Sequence, residues 1–112
     1  MGKIYIFNTA IIPVDFSEKE KYCVVLKRIT IEEAKEILSE GEIISAIGHE
    51  STSSLLSELL GIHIPYNRIN VKMKSQDKGI HFVLRQRLPE GTVLDKKELE
   101  RLEFDLVYSE VF

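Results

Sequence analysis

Strand patterns and helix patterns alternate along the 112 residues of this chain, and this alternation most constrains the fold. Short apolar or alternating runs predict strands at residues 3–8, 22–28, 42–47, 67–74, 80–88 and 104–111. Amphipathic spacing predicts helices at residues 31–40, 52–60 and 95–102. Interleaved strands and helices favour an α/β or α+β fold, with helices packed on a mixed sheet of about five strands. The length predicts one domain over residues 1–112.

Two of the helices have clear boundary signals. Thr30 and Glu33 form a capping box, in which the threonine hydroxyl caps the glutamate amide and the glutamate side chain bonds back. Gly41 is the predicted end of this first helix, and Gly61 is the predicted end of the second.

Two strand predictions depend on burial and pairing. The nearly continuous apolar run at 22–28 is typical of a strand that is covered on both faces, which places Cys23 in the core. Residues 67–74 alternate between apolar and polar side chains, and the polar segment 75–79 resembles a hairpin loop. We therefore expect 67–74 to pair with 80–88 as an antiparallel hairpin.

Composition excludes several classes of protein. The chain is 44% hydrophobic and 29% charged, which fits a folded domain and not a disordered segment. No apolar run approaches the ~20 residues of a membrane helix, and the start does not resemble a signal peptide. A single cysteine indicates a reducing compartment, so we expect a cytoplasmic protein. The net charge of −3 argues against binding to double-stranded nucleic acid.

The most informative segment is 45–52 (SAIGHEST), where a buried strand gives way to a helix. Gly48 allows a backbone bend or the close approach of a ligand. The free amides of a first helical turn, with Ser51 and Thr52, favour an anion such as phosphate, beside which His49 can exchange a proton. The same pattern also fits a helix that is simply capped by Glu50 or Ser51, with His49 at the surface.

A second cluster lies at 85–91 (RQRLPEG). Strand alternation places Arg85 and Arg87 on one face. Arg87 can neutralise a phosphate, and Glu90 can orient that arginine or a histidine. An exposed ion pair at a hairpin end explains the same residues equally simply. Asn67 and Arg68 form a third polar group of this kind.

The remaining histidines do not indicate a metal site. His63 follows a helix end and is expected in a loop, whereas His81 lies on a strand and is expected either to pack or to face solvent. Their spacing matches no zinc motif, and no phosphate-binding glycine loop or nucleophile motif is present. We therefore expect no metal and no cofactor.

Taken together, the motifs resemble those of the viral and phage ring nucleases that act as type III anti-CRISPR proteins, a family also found in bacterial mobile elements. The resemblance spans almost the whole chain, in the family's order and near its spacing. The matching segments are Asn8, 47–52 (IGHEST), 59–61 (LLG), 67–68 (NR) and 86–91 (QRLPEG).

This resemblance implies a homodimer that binds cyclic tetra-adenylate and cleaves it without a metal. It assigns catalytic roles to His49, Arg87 and Glu90. Ligand contacts are implied for Asn8, Thr9, Ala10, Gly48, Ser51, Thr52, Asn67, Arg68 and Gln86. Ile11 departs from the family pattern, since some members have a ligand-contacting serine there, so the contacts of residues 9–11 differ.

The implied chemistry suits these residue types. A ribose 2′-hydroxyl attacks its own 3′-phosphate, and an imidazolium protonates the leaving 5′-oxygen. Two cuts give linear di-adenylate with 2′,3′-cyclic phosphate ends, which switches off type III CRISPR signalling. Two other functions fit the sequence: a module that sequesters a cyclic nucleotide without cutting it, and a small interaction domain in which the segment around His49 is only a capped helix.

Overall fold

A computed structural model describes residues 3–85 and 103–112 of the chain. This part contains five strands and two helices. In chain order they are β1 (Ile4–Phe7), β2 (Val24–Ile29), α1 (Ile31–Leu38), β3 (Ile43–Ser45), α2 (Glu50–Leu60), β4 (Lys78–Leu84) and β5 (Phe104–Val111). The predicted helix at 95–102 and the end of the predicted strand at 80–88 lie outside the described residues.

The five strands form one mixed sheet in the order β2-β5-β4-β1-β3. β1 is parallel to both of its neighbours, and Ile4 is in register with Ile43 on one side and with Lys78 on the other. β5 is antiparallel to β4 and to β2. The predicted α+β fold with a mixed five-stranded sheet and packed helices is confirmed.

Local capping signals correctly locate the start of α1 and the end of α2. Thr30 and Glu33 form the predicted capping box, with reciprocal bonds of 3.1 Å each. Gly61 ends α2 in the left-handed conformation at φ 68°, which glycine adopts without a steric cost. The predicted end of α1 at Gly41 is wrong, because the helix already ends at Leu38 with Ser39 as its C-cap.

β1 separates two hydrophobic cores, because alternate side chains of a strand point to opposite faces. Ile4 and Ile6 pack with both helices on one face, whereas Tyr5 and Phe7 pack on the other face with Met73 and Val111. Partly buried side chains before β2 and at residues 44, 46 and 71 also pack on this second face. β1 is therefore buried on both faces.

The prediction that the 22–28 run is covered on both faces is wrong. β2 lies at the edge of the described sheet, and its first five residues are exposed, Leu26 at 54%. Cys23 is exposed as well, so its predicted core position is also wrong. Apolar composition alone could not distinguish this exposed edge strand from the buried strand β1.

The predicted hairpin of 67–74 with 80–88 is wrong too. Residues 67–74 form no strand; single bridges join Tyr66 to Ile47 and Met73 to Val14. The antiparallel partner of β4 is β5. The alternation of 67–74 reflects partial burial, since Met73 is fully buried but Ile69 is 44% exposed.

Candidate functional site

Three parallel strands end at the same edge of the sheet. β3, β1 and β4 lie side by side and run in one direction, so their carboxyl ends open onto a common edge. In sheets of this kind, ligands bind outside the carboxyl ends of the strands. Asn8 leaves this edge from β1, and the segment containing His49 leaves it from β3, where the Ala46 amide still bonds to the Ile6 carbonyl at 2.8 Å.

His49 is the N-cap residue of α2, with φ −132° and ψ 126°, and its side chain makes no capping hydrogen bond. Its carbonyl accepts the first helical bond, from the Ser53 amide at 3.0 Å. The prediction that Glu50 or Ser51 caps this helix is therefore wrong, whereas the alternative that placed His49 at the surface is right. An exposed imidazole thus lies beside a helix N-terminus, where the backbone amides attract anions.

Asn67 and Arg68 lie directly beside this strand-to-helix turn. The Asn67 amide donates to the Ile47 carbonyl at 2.9 Å, and its side-chain nitrogen donates to the Ser45 carbonyl at 2.8 Å. A Cβ placed on Gly48 would meet Arg68 Cγ at 3.6 Å, which is an ordinary contact. The aliphatic part of the Arg68 side chain therefore lies next to Gly48, the residue that precedes His49.

Gly48 does not need the conformational freedom of glycine. Among the described glycines, only Gly61 has a positive φ. A backbone bend at Gly48, the first of the two suggested roles, therefore does not require glycine. The alternative, in which its missing side chain lets a ligand approach, remains a prediction.

The loop after β1 contributes Asn8, Thr9 and Ala10 to the same edge. Asn8 is half-buried, and the two residues that follow are exposed, as is Ile11 at 65%. The backbone carbonyl of Thr9 bonds to His81 Nδ1 at 2.8 Å. The buried side chain of His81, on β4, therefore holds this loop by a hydrogen bond.

β4 ends at this edge, and Arg85, the residue that follows it, forms its polar contacts at the surface. Its amide donates to the Glu103 carbonyl at 2.9 Å, and its Nε lies 3.4 Å from Asp105 Oδ2. This is the surface ion pair that the sequence left open for this arginine. Gln86, Arg87 and Glu90 lie outside the described residues, so their predicted roles stay predictions.

His81 is fully buried, and its ring stacks on Phe7 with the ring centres 4.9 Å apart. Its Nε2 lies 2.8 Å from Ser109 Oγ. Burial lowers the pKa of His81 below its ordinary value of 6.5, and the hydrogen bond to Thr9 opposes this shift. His81 is therefore neutral near pH 7.

Sequence reasoning missed the structural roles of Ser45, Asn67 and the His81–Ser109 pair. Ser45 is buried and donates to the Pro65 carbonyl at 2.7 Å, which holds the segment of Asn67 against β3. A polar residue between the apolar Ile80 and Phe82 of a strand was the available signal for His81. Its partner Ser109 is 28 positions away, and no local pattern indicates that contact.

His63 lies in a loop, as predicted, and is exposed. It lines an open groove of about 580 Å³ between the end of α2 and the segment that follows, together with Ser57, Ile62 and Tyr66. Within residues 3–85 and 103–112, no three His, Cys, Asp or Glu side chains come together as metal ligands. No helix in this part of the chain combines the length and apolar character needed to span a bilayer.

A small mixed sheet, two helices on one face, and a polar edge with an exposed histidine define a single α+β domain with a candidate anion site. The sequence profile of the STIV B116-like family matches residues 4–106. The chain belongs to this family.

Relatives come from archaeal viruses and from a bacterium. The chain is 38% identical over 109 residues to uncharacterized protein 26 of Sulfolobus islandicus filamentous virus (isolate Iceland/Hveragerdi), with 96% of this chain and 91% of the relative covered. It is 40% identical over 108 residues to uncharacterized protein ORF117 of Acidianus two-tailed virus, covering 94% and 90%. Uncharacterized protein YddF of Bacillus subtilis (strain 168) is 38% identical over 80 residues, covering 70% and 74%.

A solved structure has the same fold. B116 of Sulfolobus turreted icosahedral virus superposes with a TM-score of 0.82 at 28% sequence identity, covering 97% of this chain and 99% of that chain. The fold of the chain is therefore shared with a viral protein over nearly its full length.

Proposed function

We propose that this protein is a metal-independent ring nuclease, which binds cyclic tetra-adenylate between two copies of the chain and cleaves it to linear di-adenylate. The observation that carries the proposal is the common edge of β1 and β3. There an exposed imidazole at a helix N-terminus, an asparagine loop and an arginine lie together. These are the groups that a phosphodiester needs: a proton donor, polar contacts and positive charge.

His49 is the proposed general acid. It is exposed, and capping of α2 does not use its side chain. The ribose 2′-hydroxyl loses its proton to solvent water as its oxygen attacks the adjacent phosphorus, and the bond from phosphorus to the 5′-oxygen breaks. The imidazolium of His49 gives its proton to the departing 5′-oxygen and is then reprotonated from solvent. The products are a 2′,3′-cyclic phosphate and a free 5′-hydroxyl. General acid catalysis of this type typically contributes ~10²–10⁴-fold.

Charge that develops on the phosphate needs a donor near His49. The unpaired amides of the first turn of α2 point toward this edge, and Arg68 passes beside Gly48. By the resemblance, Arg87 adds a guanidinium and Glu90 orients one of the partners. The nucleophile belongs to the substrate, so the reaction needs no metal-bound water.

A second copy of the chain completes the proposed site. Cyclic tetra-adenylate has four phosphodiesters, so a two-fold dimer places one His49 against each of two opposite linkages. Tyr66 and Ile69 flank Asn67 and Arg68 in the chain and are 47% and 44% exposed. Exposed apolar side chains next to the site favour a contact between two copies there.

The viral relatives agree with a role in conflict between virus and host. Destruction of a cyclic oligoadenylate would switch off type III CRISPR signalling, which benefits a virus. One relative, YddF, comes from a bacterium and not from a virus.

The test is incubation of the protein with radiolabelled cyclic tetra-adenylate in the presence of EDTA. We expect linear di-adenylate with 2′,3′-cyclic phosphate ends. The His49→Ala variant should bind the ring but not cleave it, and His63→Ala is the matched control because it removes another exposed histidine. Binding without cleavage by the wild-type protein would establish sequestration instead, and loss of cleavage in EDTA with rescue by a divalent ion would exclude the mechanism.

A further inference from the structure

The most unusual polar group in the described chain is a histidine inside the sheet. His81 is 0% exposed and lies on the face of β4 that packs against Phe7. It makes two side-chain hydrogen bonds, both of 2.8 Å: one to the Thr9 carbonyl and one to Ser109 Oγ. The first of these leads out of the core to the loop that follows β1.

The two bonds define which ring nitrogen carries the proton. A carbonyl oxygen only accepts, so Nδ1 must be protonated to donate to Thr9. In the neutral ring Nε2 is then the acceptor, and the Ser109 hydroxyl donates to it. Both ring nitrogens of the neutral imidazole therefore have a hydrogen-bond partner. The bond from Nδ1 to Thr9 holds the loop.

The surrounding residues leave the ring little freedom. Phe7 stacks on it at an interplanar angle of 12°. Gly79 lies two positions before it on the same face, and a Cβ there would approach His81 Nε2 to 2.7 Å and Ser109 Oγ to 2.5 Å. Gly79 thus provides the space in which the histidine and serine meet.

We propose that His81 is a positioning residue, which holds the Asn8–Ala10 loop in the conformation that binds the ring ligand. This inference rests on the proposed function, since that function makes the loop a ligand-binding element. Among the described residues, the bond from His81 is the only side-chain hydrogen bond that reaches residues 8–10. His81 itself is buried, so it acts on the ligand through the loop and not by contact.

Two substitutions of His81 separate its two bonds. The side-chain nitrogen of asparagine occupies about the position of Nδ1, so His81→Asn keeps a donor for the Thr9 carbonyl. Glutamine places its amide near the position of Nε2, so His81→Gln keeps a partner for Ser109 and leaves Thr9 without one. Ser109→Ala is the matched control, because it removes the other bond and leaves the loop attached.

The first measurement is amide hydrogen exchange in the absence of ligand. In His81→Gln, we expect faster exchange at residues 8–11 and unchanged exchange in the remainder of β1. His81→Asn and Ser109→Ala should retain the protection of the loop. Melting curves of all three variants check that each one is folded, and equal exchange of the loop in the Gln and Asn variants would overturn the proposal.

The second measurement is binding and cleavage of cyclic tetra-adenylate. Loss of an ordered contact loop should weaken binding of the ring by ~10-fold, the equivalent of about one hydrogen bond, in His81→Gln. The effect should fall on KM and leave kcat unchanged, because His49 is untouched, whereas a general loss of structure would lower both. A mobile loop with unchanged ring affinity would overturn the positioning role.

The two proposals fail in different ways. If the folded wild-type protein does not bind the ring, the proposed function is wrong, and with it the ligand assigned to this loop. The exchange measurement then still decides whether His81 holds the loop. If the wild-type protein binds the ring and His81→Gln binds it equally well, only the positioning role is wrong.

Discussion

The side-chain nitrogen of Asn67 donates a hydrogen bond of 2.8 Å to the backbone carbonyl of Ser45. The bond joins the end of β3 to a segment 22 positions further along the chain. Asn67 was predicted as a ligand contact, yet one end of its amide is already used within the fold. Its substitution should therefore affect stability as well as binding.

We expect Asn67→Ala to lower the free energy of unfolding by ~1 kcal/mol, because it leaves a partly buried carbonyl without its donor. Asn67→Asp should cost more, since it replaces the donor with a carboxylate facing an acceptor. Urea titration measures both values. Asn70→Ala is the control, because Asn70 is exposed in the same segment, and an equal loss in this control would contradict the structural role of Asn67.

Two glycines should differ in how far substitution by alanine lowers stability. At Gly79 the new methyl group would lie 2.5 Å from Ser109 Oγ and 2.7 Å from His81 Nε2, so we expect a loss of ~1–3 kcal/mol from overpacking. At Gly48 the methyl would meet only Arg68 at 3.6 Å and beyond, so stability should change by less than ~0.5 kcal/mol. Thermal and urea unfolding test this, and ring affinity of Gly48→Ala reports whether the ligand approaches that backbone.

Burial of His81 should make stability depend on pH. The folded state has the lower pKa, so on acidification the unfolded chain takes up a proton first, at the ordinary histidine pKa of 6.5. This contribution is fully present above that pH and is lost as the pH falls through it toward the lower pKa of the folded state. Wild type should therefore lose more stability than His81→Asn between about pH 7.5 and 5.5. Parallel stability curves for the two proteins would contradict this expectation.

The proposed dimer predicts a distinctive product in mixed subunits. A dimer of one wild-type chain and one His49→Ala chain has one general acid, so it should open the ring once and make the second cut slowly. Linear tetra-adenylate should then accumulate early, as measured by chromatography of the products. Formation of di-adenylate at the full wild-type rate, or a monomer by light scattering with and without ligand, would exclude the shared site.

Cys23 should react with a thiol reagent in the native protein, because its side chain is exposed. We expect one thiol per chain to be modified without denaturant, at a rate close to that in the unfolded chain. Cys23→Ser provides the blank. If Cys23 reacts only after unfolding, the edge strand β2 beside it is covered in solution.

Local signals predicted the parts of the fold that are determined locally. The capping box of Thr30 and Glu33, the helix end at Gly61 and the last strand each depend on residues that are close in sequence. The wrong strand predictions concern long-range neighbours. The apolar run that contains Leu26 was predicted to be covered but forms the exposed edge strand β2, because the sequence does not show which strands lie beside each other.

The candidate site also has parts that the local sequence predicts and parts that depend on distant residues. The sequence indicated His49 through a strand end followed by a helix start, and the structure places it at the surface there. The bond from Asn67 to Ser45 and the pairing of His81 with Ser109 join residues far apart in the chain. Such contacts depend on the sheet order, which pattern analysis did not provide.

The position of β1 between β4 and β3 has a consequence for synthesis of the chain. β1 is made first, but its partner β4 comes much later, and the bond from the Lys3 amide to Asp77 spans 74 positions. At ~5–20 residues per second, one edge of β1 stays open for about 4–15 s on the ribosome. The uncharged segment IYIF is then an exposed template for strand pairing between nascent chains. Translation that stops before residue 78 leaves this template permanently open.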